Sequence, residues 1–324
     1  MKKILVIQTA FIGDVILATA AIESIHDSKA YDQIDVLVRK GNESLLADHP
    51  FINKVYVWDK KQGKYKALMR LSKEVRKQQY DVVINLQRYA SSGWLSFRSK
   101  AKIVAGFKNN PLSFLFTHKV MHEIGNGTHE VDRNQQLLNE VGEFVKHAPK
   151  LYPTESDFRA VRQYSQSEFI VMAPSSVWFT KQLPKNKWVE LIDQLQHKQV
   201  YLIGAPSDEK YLEEIKTASA HQNCQNLAGE LSLLQSAALI KNAEMTYVND
   251  SAPLHLASSM NARVTAFFCS TVPDFGFGPL SDESFIIQSS HDLECRPCGL
   301  HGKSSCPKGH FDCGATIDVT IEAK

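Results

Sequence analysis

Asp14 is the first residue whose setting suggests chemistry. It ends the stretch Gln8-Thr9-Ala10-Phe11-Ile12-Gly13-Asp14, between an apolar run at residues 3–8 and helical spacing at 14–27. A carboxylate placed there can cap the free N–H groups of a helix start. At the mouth of a cleft it can instead take a proton as a general base. Gly13, just before it, permits backbone conformations that other residues avoid. The GxGxxG fingerprint of dinucleotide-binding turns is absent here, which argues against a nicotinamide oxidoreductase.

Three later loops carry groups suited to an anionic, sugar-bearing ligand. In Pro174-Ser175-Ser176-Val177-Trp178-Phe179-Thr180-Lys181, small hydroxyls can bind phosphate oxygens and the lysine can neutralise their charge. The other reading is a polar loop with a solvated lysine. Asn249-Asp250-Ser251-Ala252-Pro253-Leu254-His255 runs from a strand into a helix, whose start offers N–H groups to an anion. Asp250 or Ser251 would cap that helix. Asp250 is also suited to accept bonds from a ribose hydroxyl, and His255 faces either a cleft or the core. Gly204-Ala205-Pro206-Ser207-Asp208-Glu209 reads as a turn and helix cap, with Glu209 as a ribose acceptor.

Four of the six cysteines, Cys295, Cys298, Cys306 and Cys313, follow the spacing C-x2-C-x7-C-x6-C, with His301 and His310 between them. The first pair has metal-ligand spacing and the second is wider. A structural zinc, reduced thiols in a cytosolic loop, and disulfides formed on oxidation are the alternatives. None of them places the cluster in catalysis. Lys60, Lys61, Lys64, Lys66, Arg70, Lys73, Arg76 and Lys77 form a basic cluster, with Leu68, Leu71 and Val75 on one face. It reads as a solvated helix packed on its sheet or as a surface drawn to anionic lipid.

These residues need a scaffold, and the hydropathy pattern supplies one. Short apolar runs at 3–8, 34–38, 55–58, 80–86 and 103–106 alternate with helical segments at 14–27, 45–48 and 64–79. A second series has strands at 169–172, 200–203, 225–227, 245–248 and 264–268, with helices at 187–196, 208–220, 233–241 and 253–260. Such alternation predicts α/β units with parallel, doubly wound sheets. Proline and polar punctuation near 148–167 divides the chain into two Rossmann-like domains, 1–155 and 156–324, with a cleft between them. Ligands then belong beyond the carboxyl ends of the strands, where the loops above lie.

The chain has 324 residues, 43% apolar and 22% charged, with 37 basic and 35 acidic side chains. That balance gives no overall drive toward nucleic acid. No apolar run reaches the ~18 residues of a membrane span. Gln8, Gly13, Asp14 and Glu23 interrupt the opening stretch, which reads as a buried strand and helix rather than a signal peptide. A cytoplasmic protein is expected.

Taken in order, these segments resemble the ADP-heptose:lipopolysaccharide heptosyltransferases. KKILVIQTAFIGDVILATAAIESI looks like the family's first strand, Gly-Asp turn and helix. TKQLPKNKWVELI looks like its Lys-x-x-Pro-x-x-x-Trp segment, and NLAGELSLLQSAALIKNAEMTYVNDSAPLHLASSMNARVTAFFCSTVPDF like its most distinctive block. VNDSAPLHLA with TVPDFGFGPLS is closest in wording to the second heptosyltransferase type. The sequence departs from the pattern at Ala252, where glycine is common; a required positive φ would make alanine costly there.

The resemblance implies the GT-B architecture, with an N-terminal acceptor domain, a C-terminal nucleotide-sugar domain and inverting transfer that needs no catalytic metal. Asp14 would be the base. Ser175, Ser176, Lys181, Glu209, Asp250, Ser251, Ala252 and His255 would line the donor site. Gly13, Arg88, Arg98 and Lys100 would serve the acceptor, with His129 and Arg133 approaching it. The donor would be ADP-L-glycero-D-manno-heptose. The acceptor would be the lipid A-Kdo inner core of lipopolysaccharide, met at the cytoplasmic face of the inner membrane. A GT-B transferase for another nucleotide sugar, and a nucleotide-sugar-binding protein without turnover, are the alternatives.

Overall fold

The computed structural model describes residues 1–61 and 63–321; the side chain of Lys64 also lies outside the described residues. The chain divides into two compact units, Met1–Tyr152 and Pro153–Lys324.

The first unit runs β1 (Lys3–Gln8), α1 (Ile12–Asp27), β2 (Gln33–Arg39), β3 (Lys54–Trp58), α2 (Lys64–Lys77), β4 (Val82–Asn85), α3 (Ala90–Ser99), β5 (Ile103–Phe107), β6 (His118–Val120) and α4 (Glu130–Asn139). All strand pairs are parallel, in the order β3-β2-β1-β4-β5-β6. β1 is central, so its Ile4-Leu5-Val6-Ile7 run is fully buried; a parallel strand covered on both faces needs no polar alternation. α1 is buried over most of its length from Val15 to Ile25. It packs against the sheet and α4.

The second unit runs α5 (Glu155–Val161), β7 (Phe169–Ala173), α6 (Lys185–Asp193), β8 (Gln199–Leu202), α7 (Glu209–Ala218), β9 (Cys224–Asn226), α8 (Leu233–Asn242), β10 (Met245–Asn249), α9 (Ala252–Ser259), β11 (Val264–Phe268), β12 (Ser284–Gln288) and α10 (Asp312–Ala315). Its sheet order is β12-β11-β10-β7-β8-β9, again all parallel. Read from β9, this is the same winding as in the first unit. Trp188, Phe267, Leu191 and Leu202 belong to its core.

The strands and helices expected from periodicity are present, with ends moved by at most three residues. The 45–48 segment is a single 3-10 turn at Glu43–Leu46. The structure adds α3, α4, α5, α10, β6 and β12, which periodicity does not reveal. Each sheet changes winding direction at its first strand, between β1 and β4 and between β7 and β10. The loops leaving those strands are therefore where a doubly wound sheet opens to a ligand.

Candidate active site

In the first unit, β1 leads straight into the turn that carries Asp14. Asp14 is the third residue of α1, and its Oδ2 accepts the Phe11 N–H at 3.1 Å. The carboxylate therefore does cap the helix start, and the capping bond also fixes its direction. Burial and then the charge of Glu130 push its pKa up to about 6; the Phe11 N–H and the Arg88 guanidinium hold it back. A carboxylate of that basicity is ionised at neutral pH and still a competent proton acceptor. Gly13 is the second residue of α1 and has ordinary helical backbone, so its place does not depend on glycine's conformational freedom.

The turn is tied down from several sides. Gln8 Oε1 accepts the Ala10 N–H (3.2 Å) and a bond from Gln87 Nε2. Asn42 Nδ2 donates to Ala10 O (3.0 Å), and Lys60 Nζ donates to Thr9 O (2.9 Å). The Arg39 guanidinium stacks over the Phe11 ring at 4.5 Å. Arg39, Lys60 and Arg88 thus place three cations around the Asp14 turn. Sequence reading singled out Arg88 here but missed Arg39, which ends the strand next to β1. Glu130 was missed too.

Glu130 opens α4 and is 4% exposed. Burial alone would raise its carboxyl, but His122 Nε2 (3.0 Å) and Arg133 Nε (2.8 Å) outweigh it and hold the pKa below the usual range. Arg133 is itself 2% exposed and donates Nη1 to Glu123 O and Thr128 O. Its guanidinium is committed to holding the β6–α4 connection, not displayed to a ligand. His129 caps α4, its Nδ1 accepting the Val131 N–H at 3.1 Å.

Arg98 and Lys100 lie at the far end of α3 from Arg88. Arg98 covers the Trp94 ring at 5.7 Å and Lys100 the Phe97 ring at 4.5 Å. Residue 100 leads into the amino end of β5, so the winding carries both residues toward the edge of the sheet opposite Asp14. The basic residues of α2 (Lys66, Arg70, Lys73, Arg76 and Lys77) are exposed, while Leu68, Leu71 and Val75 are buried in the core.

In the second unit, the loops after β7 and β10 bring Lys181 and Asp250 together, with Nζ 2.7 Å from Oδ2. Thr271 Oγ1 donates to the same Oδ2 at 2.6 Å. Asn249 joins the two loops, accepting the Leu183 N–H (2.9 Å) and donating to Pro174 O (2.7 Å). Ser175 Oγ donates to Asp208 Oδ2 at 2.8 Å, and Gln182 Nε2 donates to Ser176 O at 2.6 Å.

Ser251 is the N-cap of α9 by position, without a side-chain capping bond. Ala252 is the first helical residue, so positive φ is not required and alanine is unstrained there. His255 is buried in α9. Glu209 is exposed at the start of α7, lining a surface hollow with Lys185, Lys210, Glu213 and Glu214.

The six cysteines are free thiols. Cys313 lies in the core, and burial and neighbouring thiol charges push it up to about 11. Cys295 Sγ is 3.9 Å from His310 Nε2. Among the described residues no group of three or more His, Cys, Asp or Glu side chains is arranged to hold a metal ion.

Two Rossmann-like units, each with polar groups at the carboxyl ends of its central strands, make up the GT-B architecture of many glycosyltransferases. The chain belongs to glycosyltransferase family 9 (heptosyltransferase), whose profile matches residues 68–307. It is similar to lipopolysaccharide heptosyltransferase 3 of Escherichia coli K12, 28% identical over 283 residues that cover 80% of this chain and 80% of that protein. The structure of E. coli ADP-heptose LPS heptosyltransferase II superposes with a TM-score of 0.78 at 23% identity, covering 92% of this chain and 96% of that one. E. coli heptosyltransferase WaaC with ADP-2-deoxy-2-fluoro heptose superposes with a TM-score of 0.72 at 18% identity, over 89% and 93% of the two chains.

Proposed function

We propose that this glycosyltransferase moves a heptose from ADP-L-glycero-D-manno-heptose to the inner core of lipopolysaccharide, with inversion and with Asp14 as general base. The observation that carries the reading is the Asp14 carboxylate, fixed by the Phe11 N–H and raised to a pKa of about 6. The acceptor hydroxyl oxygen forms its bond to the anomeric carbon as the bond from that carbon to the diphosphate oxygen breaks. The hydroxyl proton passes to Asp14, and ADP leaves with the bonding pair. One carboxylate is enough for this direct displacement, since no covalent sugar intermediate forms.

Lys181, with Asp250, Ser251 and Ser175 near it in the second unit, is suited to the donor diphosphate. An ammonium and helix N–H groups can stabilise the leaving charge, so no divalent ion is needed for the step. The ADP-sugar analogue named for the WaaC structure supports the choice of donor. Arg39, Lys60 and Arg88 suit an acceptor bearing carboxylate or phosphate groups. Among the described residues no helix is long and apolar enough to cross a membrane. The exposed cations of α2 suit peripheral contact with an anionic membrane surface on the cytoplasmic side.

The test is ADP release from ADP-heptose, with and without a truncated core acceptor, for the wild type and Asp14→Ala. Acceptor-dependent release that collapses in the variant, with donor binding retained, supports the reading. If ADP-heptose neither binds nor turns over with any core acceptor, the donor assignment fails and other nucleotide sugars take its place.

A further inference from the structure

The cysteine-bearing segment is packed directly on Lys181. Gly302, at φ +75°, leaves no room for a side chain: a Cβ there would lie 2.8 Å from Lys181 Cγ, 3.1 Å from Thr180 Oγ1 and 3.2 Å from Trp178 Cβ. Its neighbour Lys303 pairs with Thr180 through the backbone. The Lys303 N–H donates to Thr180 Oγ1 (2.8 Å), and Lys303 O accepts the Thr180 N–H (3.1 Å). Thr180, 1% exposed, is bonded in turn to Ser270, which donates its N–H to Thr180 O (3.2 Å) and its hydroxyl to Thr180 Oγ1 (3.0 Å).

The same segment reaches Lys181's partner by a second route. The Cys298 N–H donates to Ser270 O at 2.9 Å. Arg296 donates Nε to Cys269 O (2.7 Å) and Nη2 to Thr271 O (2.8 Å) and Phe268 O (3.1 Å). Thr271 carries the hydroxyl that donates to Asp250 Oδ2. Residues 296–303 therefore hold Lys181 through Gly302 and Thr180, and Asp250 through Arg296 and Thr271.

We propose that residues 296–303 are a positioning element of the donor site, with Gly302 and Lys303 fixing the course of Lys181 before a diphosphate arrives. The proposal rests on the reading of Lys181 as the diphosphate ligand. A lysine already held in its binding conformation surrenders less freedom when the ligand comes. The cysteine segment, which the sequence leaves outside the chemistry, becomes part of the machinery that fixes the lysine.

Two alanine substitutions separate this role from backbone strain. Gly302→Ala and Gly309→Ala both force a side chain onto positive φ (+75° and +80°), but nothing lies within 4 Å of a Cβ at Gly309. ADP affinity is measured by calorimetry, and the KM for ADP-heptose beside it. Gly302→Ala should weaken ADP about tenfold, the scale of one charge-assisted bond, while Gly309→Ala binds as wild type. In a Lys181→Ala background, Gly302→Ala should add no further loss, because its effect passes through that lysine.

Wild-type ADP affinity in Gly302→Ala, or an undiminished penalty in the Lys181→Ala background, overturns the proposal. If Lys181→Ala itself binds ADP as wild type, the reading of Lys181 fails and takes the proposal with it. Should Gly302→Ala not fold, Thr180→Val removes the oxygen that receives the Lys303 N–H at nearly constant shape, and the same tenfold loss is expected.

Discussion

Lys181 Nζ stands 2.7 Å from Asp250 Oδ2, and the two residues come from loops after different strands of one sheet. Their side chains are 16% and 8% exposed, so each charge depends on the other. Removing the lysine leaves a nearly buried carboxylate bonded only by neutral donors such as Thr271. Lys181→Ala is expected to cost about 3 kcal/mol of stability, the scale for breaking a buried pair, and to weaken ADP about 10–100-fold. Chemical denaturation and calorimetry on the same variant read the two effects separately.

With Asp14 as the proposed base, its raised pKa would set the acid limb of transfer. The base must be ionised, so kcat should fall about tenfold per pH unit below roughly pH 6 and level off above it. Its folded pKa of about 6 lies above the 3.8 of an ordinary aspartate, so the ionised form is disfavoured in the folded state. Above pH 6 Asp14 thus costs stability, and the cost fades as pH falls from 6 toward 3.8. Asp14→Asn should lose at least 100-fold in kcat yet melt higher than wild type at pH 7.5, with the gain shrinking at pH 4. A variant that melts lower at pH 7.5, or keeps its activity, contradicts this account.

Glu130 supplies part of that elevation from α4. His122 and Arg133 keep it ionised across the assay range, and Arg88 acts on Asp14 in the opposite sense. Glu130→Gln removes a negative charge facing Asp14 and leaves the positive charge of Arg133 unopposed. Both changes favour the ionised base, so the acid limb should move to lower pH. The buried Arg133 left without its carboxylate should also cost about 3 kcal/mol in stability. An acid limb unchanged in a folded Glu130→Gln enzyme would show that the two carboxylates do not interact.

On the proposed reading of Lys181, transfer should proceed in EDTA at its full rate, because that ammonium and helix N–H groups would take the place of a divalent ion at the leaving diphosphate. A rate that falls with chelation and returns with Mg²⁺ would assign the diphosphate to a metal instead.

The sheets were readable because their chemistry is local. Ile4-Leu5-Val6-Ile7 is an unbroken apolar run and residues 264–268 are apolar but for Thr265, and the structure turns both into strands buried on both faces. α3 escapes such reading because it has four serines and a glycine in ten residues. Its hydroxyls are absorbed within the helix, as when Ser96 Oγ donates to Ser92 O, and Gly93 is needed where a Cβ would meet Asn110 Oδ1 at 2.3 Å. α4 escapes because its buried face mixes Val131, Leu137 and Leu138 with a charged pair, Glu130 and Arg133. In the site, Asp14 and Lys181 were visible from their loops. The Lys181–Asp250 pair and the brace from Gly302 were not, because they join residues far apart in sequence.

The winding of the sheets bears on how the chain is made. β1 and β7 are the first strands of their units, yet each takes a central place, and β1 pairs with β4 at Ile4↔Val82. During synthesis one edge of the apolar β1 must wait for a neighbour that follows by about half of the first unit. At about 5–20 residues per second that delay is roughly 4–16 s. Throughout it, an unpaired apolar edge is open to wrong partners. The nascent first unit is therefore most prone to aggregation before residue 85 leaves the ribosome, and a chaperone that shields apolar segments would act most strongly in that window.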